Sequence, residues 1–271
     1  MFKTRLLSGI ILVIIALATI ICGGPVLFAT LLCVSLIGMQ ELYKATGVHK
    51  DKFELLEIVS YLGVAAYYVV MALLPSAFHT PALILSVLLI MFVYVFTYPK
   101  YQVAQIMSAF FGIVYVGVML SYVFQTRMLE GGSFLVWLIF LCSWGCDTCA
   151  YCVGVLFGKH KMAPVLSPKK SIEGAVGGVV GAALLGALYA WAISGYNPES
   201  AHTPLIYAII CAIGALVSMV GDLAASAIKR QQSIKDYGTL IPGHGGILDR
   251  FDSVIFTAPI IYFMASTVMK L

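Results

Sequence analysis

The stretch V-A-Q-I-M-S-A-F-F-G-I-V-Y-V-G-V-M-L-S-Y-V-F, residues Val103–Phe124, runs for 22 residues without one Asp, Glu, Lys or Arg. Wound as an α-helix it extends roughly 33 Å, enough to cross the ~30 Å hydrocarbon layer of a bilayer. Outside this run the composition is the same in kind. Hydrophobic residues make up 61% of the 271, only 10% are charged, and mean hydropathy is +1.00. No water-soluble core needs so much apolar surface, so the chain reads as an all-α polytopic membrane protein with the bilayer as its partner.

Nine apolar segments follow this pattern: Leu6–Cys22, Pro25–Met39, Ile58–Leu74, Ala82–Tyr98, Val103–Phe124, Phe134–Phe157, Gly174–Ser194, Pro204–Ala227 and Phe251–Met269. The first two are short and separated only by Gly23-Gly24-Pro25, which suits a tight hairpin or a tilted pair. A signal peptide, with Lys3 and Arg5 ahead of an Ala16-Leu17-Ala18 cleavage site, fits less well, because another apolar segment follows almost at once. With nine crossings, one side receives 14 of the 16 Lys and Arg residues, and Arg127 and Lys270 alone fall on the other. Basic residues favour the cytoplasm, so the N-terminus is expected inside and the C-terminus outside. A single integral domain, residues 1–271, is expected, because no long linker divides the chain. The net charge of +4 needs no nucleic-acid partner, since this bias and a phosphate site account for the lysines.

The longer polar loops, Gln40–Glu57, Gly158–Glu173 and Lys229–Leu248, all fall on the cytoplasmic side. The last belongs to the densest ionic stretch, Ser226–Asp252: S-A-I-K-R-Q-Q-S-I-K-D-Y-G-T-L-I-P-G-H-G-G-I-L-D-R-F-D. Carboxylates beside lysines, arginines and a glycine turn are what a metal-bound polyphosphate requires. Carboxylates hold the hard cation, basic groups neutralise phosphate oxygens, and glycines let backbone N–H groups approach them. Asp222 precedes Ser226, Lys229 and Arg230 by four, seven and eight residues, one face of a helix. Asp249 and Asp252 are spaced to share a face at the start of the last span, and the Pro242–Gly246 turn is expected to bring Asp222 and Asp249 around one cation.

Ser226, Lys229, Arg230, Lys235, Asp236, Pro242, His244, Gly245, Gly246, Asp249, Arg250 and Asp252 together resemble the signature of phosphatidate cytidylyltransferases, also called CDP-diacylglycerol synthases. Two further elements are similar to that family's. Asp147-Thr148-Cys149-Ala150-Tyr151, an ionisable group deep in the sixth span, matches D-x-x-A-Y/F, and Gly154-x-x-Phe157-Gly158-Lys159 follows it. Ser167-Pro168-Lys169-Lys170-Ser171-Ile172-Glu173-Gly174 matches S-P-K-K-[ST]-x-E-G and opens a helix whose N-terminus attracts anions.

The resemblance implies transfer of the cytidylyl group of CTP to phosphatidic acid, giving CDP-diacylglycerol and pyrophosphate. It implies elements 144–174 and 222–252 as a cytoplasm-facing site in the cell's inner (plasma) membrane. On it, Asp222, Asp249, Lys229, Arg230 and His244 are the catalytic set. Lys169, Lys170, Ser226, Lys235, Gly245, Gly246, Arg250 and Asp147 bind substrate. Asp222 and Asp249, with Asp252 as a further candidate, hold Mg²⁺, and a second cation is compatible with that set. A CTP-dependent polyprenol or phytol kinase and an ion-coupled transporter are the alternatives. No G-x4-G-K-[ST] loop is present, and the charges crowd at one membrane face rather than the midplane.

The remaining features read as structural. Cys142, Cys146, Cys149 and Cys152 are expected as small apolar packing residues. The run Gly174, Gly177, Gly178, Gly181 and Gly186 gives a small-residue face for close helix contact within the protomer or in a homodimer. Tyr43, Tyr98, Tyr101 and Tyr122 are expected as interfacial anchors. Glu41 is expected to pack or cap, and Asp51, Glu54 and Glu57 to be solvated.

Overall fold

In the computed structural model the chain is described over residues 2–50, 52–195 and 204–267, with side chains from residue 8 onward. All nine expected segments are helical there. The helices are α1 (Phe2–Cys22), α2 (Gly24–Thr46), α3 (Leu55–Leu73), α4 (His79–Phe96), α5 (Val103–Gly112), α6 (Met119–Arg127), α7 (Gly132–Phe140), α8 (Cys146–Phe157), α9 (Ile172–Ile193), α10 (Pro204–Gln231) and α11 (Leu248–Thr267). Wide π turns, Ile113–Val118 and Leu141–Gly145, join α5 to α6 and α7 to α8 into single long rods. Among the described residues seven helical stretches are long and apolar enough to cross a membrane, α2, α3, α9 and α10 among them. The side chains of Lys3 and Arg5, residue Asp51, and the end of the ninth segment with Lys270 and Leu271 lie outside the described residues.

Two compact units form: Met1–Ser121 with Gln232–Arg250, and Tyr122–Gln231 with Phe251–Leu271. In the first, α2, α3 and α5 pack around Met39, Leu42, Tyr43, Leu56, Val64 and Tyr68. Tyr43 is fully buried, not an interfacial anchor: its hydroxyl donates to the Ala109 carbonyl at 2.7 Å, and its ring fills the space a Cβ at Gly112 would need. Tyr101 is also buried and donates to Glu54 Oε2 at 3.0 Å, whereas Tyr98 is 72% exposed. The anchor reading fails for Tyr43 and Tyr101 because each hydroxyl finds an internal acceptor, so burial costs no hydrogen bond. Glu57 departs from expectation in the same way. It is fully buried in the first turn of α3, with His49 Nδ1 at 2.8 Å and the Tyr61 hydroxyl donating to it at 2.5 Å.

In the second unit α9 packs between α8 and α10. A Cβ at Gly177 would lie 2.5 Å from Val153, one at Gly181 2.6 Å from Cys149 Sγ, and one at Gly186 2.6 Å from Cys211 Sγ. Gly178 faces Cys146 Sγ, and Gly214 of α10 faces Cys142 Sγ. The glycine face is therefore filled from within the same protomer, by Val153 at Gly177 and by thiols at Gly178, Gly181 and Gly186, and all seven thiols are free. Between α8 and α9 the expected loop contains a two-stranded antiparallel hairpin, β1 (Lys161–Ala163) against β2 (Ser167–Ser171).

Candidate functional site

The second unit joins two of the sequence elements. β2 delivers Lys170 to Asp222 of α10, and the two side chains form an ion pair. From the last turn of α10, Arg230 Nε donates to the Leu166 carbonyl at 3.4 Å, tying the hairpin to the same helix. Lys229 and Ser226 are buried on α10, and Lys169 is exposed. Asp252, near the start of α11, is buried and close enough to Asp222, Lys229 and Asp147 to interact electrostatically with each. Asp147 sits in the first turn of α8, just past the Leu141–Gly145 π turn, and is exposed. Such turns shift the register of a helix and often mark functional positions.

Asp252 lies within electrostatic reach of Asp222 and Asp147, and Lys229 and Lys170 offset part of that negative charge. Carboxylates are hard oxygen donors, the type a divalent cation such as Mg²⁺ takes. Among the described residues no three His, Cys, Asp or Glu side chains converge closely enough to cage an ion alone.

The α8–β1 turn and the start of α9 are fixed locally. Ser171 is the N-cap of α9, its Oγ accepting from Gly174 N at 3.1 Å. Glu173 accepts from the backbone N–H groups of Lys159 and His160 at 3.1 and 3.2 Å and pairs with His160 Nδ1 at 2.5 Å. Gly154, Gly158 and Gly174 leave the room this close approach requires, since a Cβ at Gly158 would stand 2.7 Å from Ser171 Oγ.

The first unit holds the other half of the signature. Ile241-Pro242-Gly243-His244 is a β-turn closed by His244 N donating to the Ile241 carbonyl at 2.9 Å. Pro at its second position and Gly243 at φ 77° mark it as type II. Gly245, at φ 86°, then turns the chain back so that Ile241 N reaches the Gly245 carbonyl. Asp249 is buried, and its Oδ2 accepts from Tyr237 N at 2.8 Å and Gly246 N at 2.9 Å. Glu41 of α2 accepts from Ile247 N at 3.0 Å and Leu248 N at 2.8 Å, capping the first turn of α11 from another helix. Lys235 and Asp236 are exposed, and Arg250 and His244 are half-buried. Asp249 thus organises its own loop, and its sharing of a cation with Asp222 of the second unit rests on the sequence pattern alone.

Two contacts escape sequence reasoning. Glu41 carries a faint signal, an acid at the end of an apolar span. Ser8 of α1, 2.8 Å from His244 Nδ1, carries none, because the two are 236 residues apart.

Comparison with known proteins places the whole chain. A model of the cytidylyltransferase family matches residues 3–268. A protein of Synechocystis sp. named phosphatidate cytidylyltransferase is 30% identical, covering 96% of this chain and 94% of its own length. Proteins of the same name from Staphylococcus saprophyticus and Bacillus subtilis are 32% and 29% identical, covering 96% and 97% of this chain and 97% of their own lengths. With the match running through every span and both polar elements, this chain belongs to the cytidylyltransferase family.

Proposed function

We propose that this protein transfers the cytidylyl group of CTP to phosphatidic acid, releasing pyrophosphate and forming CDP-diacylglycerol for phospholipid synthesis. The observation that carries the reading is the Lys170–Asp222 pair, which joins the S-P-K-K and α10 elements of the signature within one unit. The lipid phosphate is itself an oxyanion nucleophile, so no side chain has to form a covalent intermediate. What remains for the protein is in-line placement and charge neutralisation at the α-phosphorus.

Lys169, Lys170, Lys229 and Arg230 are the partners for the triphosphate. Asp222 and Asp252, with Asp147 beside them, are the groups that would hold Mg²⁺. Bound there, the cation would supply charge neutralisation to phosphate oxygens. The signature assigns Lys235, His244, Gly245, Gly246 and Arg250 to substrate phosphates as well. In a nine-crossing arrangement with the N-terminus inside, these groups face the cytoplasm of the cell's inner membrane, where CTP is found.

Isotope placement tests the assignment. Purified protein is given phosphatidic acid, Mg²⁺ and CTP labelled at either the α or the γ phosphorus. Label from the α position is expected in the lipid and label from γ in pyrophosphate. Lipid labelled from γ alone identifies a kinase and sinks the proposal.

A further inference from the structure

The surface of the first unit carries a groove of about 330 Å³ between α3 and α4. Leu55, Val59 and Leu62 line one side, and Leu89, Phe92 and Phe96 line the other. The Phe92 and Phe96 rings stack with centroids 6.0 Å apart, which makes their side a flat wall. Thr97 closes the lining, and its hydroxyl donates to the Val93 carbonyl at 2.6 Å, so no side chain in the groove calls for a polar ligand. Leu89 to Thr97 is about 12 Å of helix, and the volume spread over that length is a channel roughly 6 Å across, about half the width of a helix with its side chains. One hydrocarbon chain fits that width, and a helix does not.

Charge is gathered at one end. Leu55 begins α3 and Thr97 ends α4, so the groove runs up to the polar residues that flank them. Lys100 N donates to the Thr97 carbonyl at 2.8 Å, and the Lys100 ammonium, half exposed, pairs with Glu54, the neighbour of Leu55. Lys52 is exposed, and Lys50 is close enough to Glu54 to act on it electrostatically. Three lysines stand against Glu54 and, in the sequence, Asp51, a net charge of +1. A phosphodiester carries one negative charge, whereas a phosphomonoester carries nearly two at neutral pH.

We propose that this groove holds one acyl chain of an anionic phosphodiester lipid of the surrounding bilayer, with its phosphate against Lys52 and Lys100. Lysine stems lie along apolar surface while their ammonium groups reach the headgroup layer, so chain and phosphate are met together. The bound lipid is a resident of the membrane and takes no part in the reaction, so the site stands independently of the cytidylyl-transfer reading.

Lipid photo-labelling tests it. The full chain is reconstituted in vesicles of equal parts phosphatidylglycerol and phosphatidylcholine, each with a diazirine midway along one acyl chain, and adducts are mapped by mass spectrometry. A lysine near the membrane surface favours an anionic lipid by about 1 kcal/mol, roughly fivefold. Phosphatidylglycerol adducts on 55–62 and 89–97 should therefore exceed phosphatidylcholine adducts about fivefold, with no such excess on the exposed face of α9. Lys52→Gln should remove most of that excess and leave phosphatidylcholine labelling unchanged. Leu62→Trp, which fills the groove, should reduce adducts of both lipids on 89–97. Equal labelling by the two lipids, or an excess that survives Lys52→Gln, overturns the proposal. So does stronger labelling when phosphatidic acid replaces phosphatidylglycerol, which would mark a substrate site, or absence of adducts with α3 and α4 cross-linked to a second copy. If Leu62→Trp does not accumulate, wild type and Lys52→Gln, an exposed substitution, still decide.

Discussion

Replacing Glu41 with alanine should release the loop that ends at α11. The Glu41 carboxylate is only 6% exposed, and its two oxygens accept from Ile247 N and Leu248 N at 3.0 and 2.8 Å. Cβ atoms at Gly238 and Gly246 would both stand 2.4 Å from Glu41 Oε1, so the carboxylate is enclosed by the loop it holds. Hydrogen bonds to a charged group contribute about 1.5–3 kcal/mol each, which makes the two together worth about 3–6 kcal/mol against local opening. Because 1.4 kcal/mol is a factor of ten in an equilibrium, the lower bound corresponds to roughly a hundredfold rise in the open population. Hydrogen–deuterium exchange of the 237–248 segment in detergent reads this population. Glu41→Ala should accelerate exchange at Ile247 and Leu248 by about a hundredfold or more, while α9 stays protected. Glu41→Gln, keeping one acceptor and turning an NH₂ toward the other donor, should fall between. Unchanged exchange at both amides in Glu41→Ala would show that the loop is held by something else.

Four other outcomes follow from the structure. Asp222→Asn and Asp252→Asn keep size and remove charge, so cytidylyl transfer should fall by orders of magnitude while the protein inserts and purifies normally; near-normal turnover in either variant removes that residue from the site. Gly177→Ala puts a Cβ 2.5 Å from Val153, and such overpacking should cost about 1–3 kcal/mol, read as a lower Tm than that of Gly195→Ala, where the same atom meets nothing within 4 Å. The hydrogen bond from Lys100 holds the Glu54 carboxyl below its ordinary value; a lowered folded-state pKa stabilises above about pH 4.3 and is lost as pH falls through the folded value. Glu54→Gln should therefore lower stability slightly near pH 7, by no more than about 1 kcal/mol, read as a small fall in Tm, and the two proteins should converge in acid. Finally, a cysteine at Lys235 on a cysteine-free background should resist an impermeant thiol reagent applied outside intact cells, and labelling there would overturn the cytoplasmic placement of the signature.

The helices were legible because lipid demands long apolar runs, and Val103–Phe124 announces a span whatever its neighbours do. The chemistry of α10 was legible for a similar reason: Asp222, Ser226, Lys229 and Arg230 follow helical spacing, and the helix supplies it. The 161–171 hairpin was not, since Pro164 and Pro168 interrupt any alternation that would mark a strand. Glu57 looked solvated because charge was counted without its partners, although Tyr61 four residues on was a usable hint. Tyr43 at a span end looked like an anchor. Its true surroundings, Ala109 and Gly112, lie over sixty residues away. Ser8 and His244 mark the limit, since no local pattern links a hydroxyl in the first helix to a turn near the last.

The thiols set into glycine gaps impose a rule on how this membrane unit can change. Cys142 with Gly214, Cys146 with Gly178, Cys149 with Gly181 and Cys211 with Gly186 behave as locked pairs, in which one partner's bulk is defined by the other's absence of any. A methyl added at Gly214 meets Cys142 Sγ at 2.6 Å, but the same methyl opposite a Cys142→Ala background gains the room the sulfur vacated. Drift through this part of the sequence should therefore proceed by exchange across a pair, thinning one helix before its neighbour thickens. Lineages that lose a glycine here are expected to have lost the facing cysteine first.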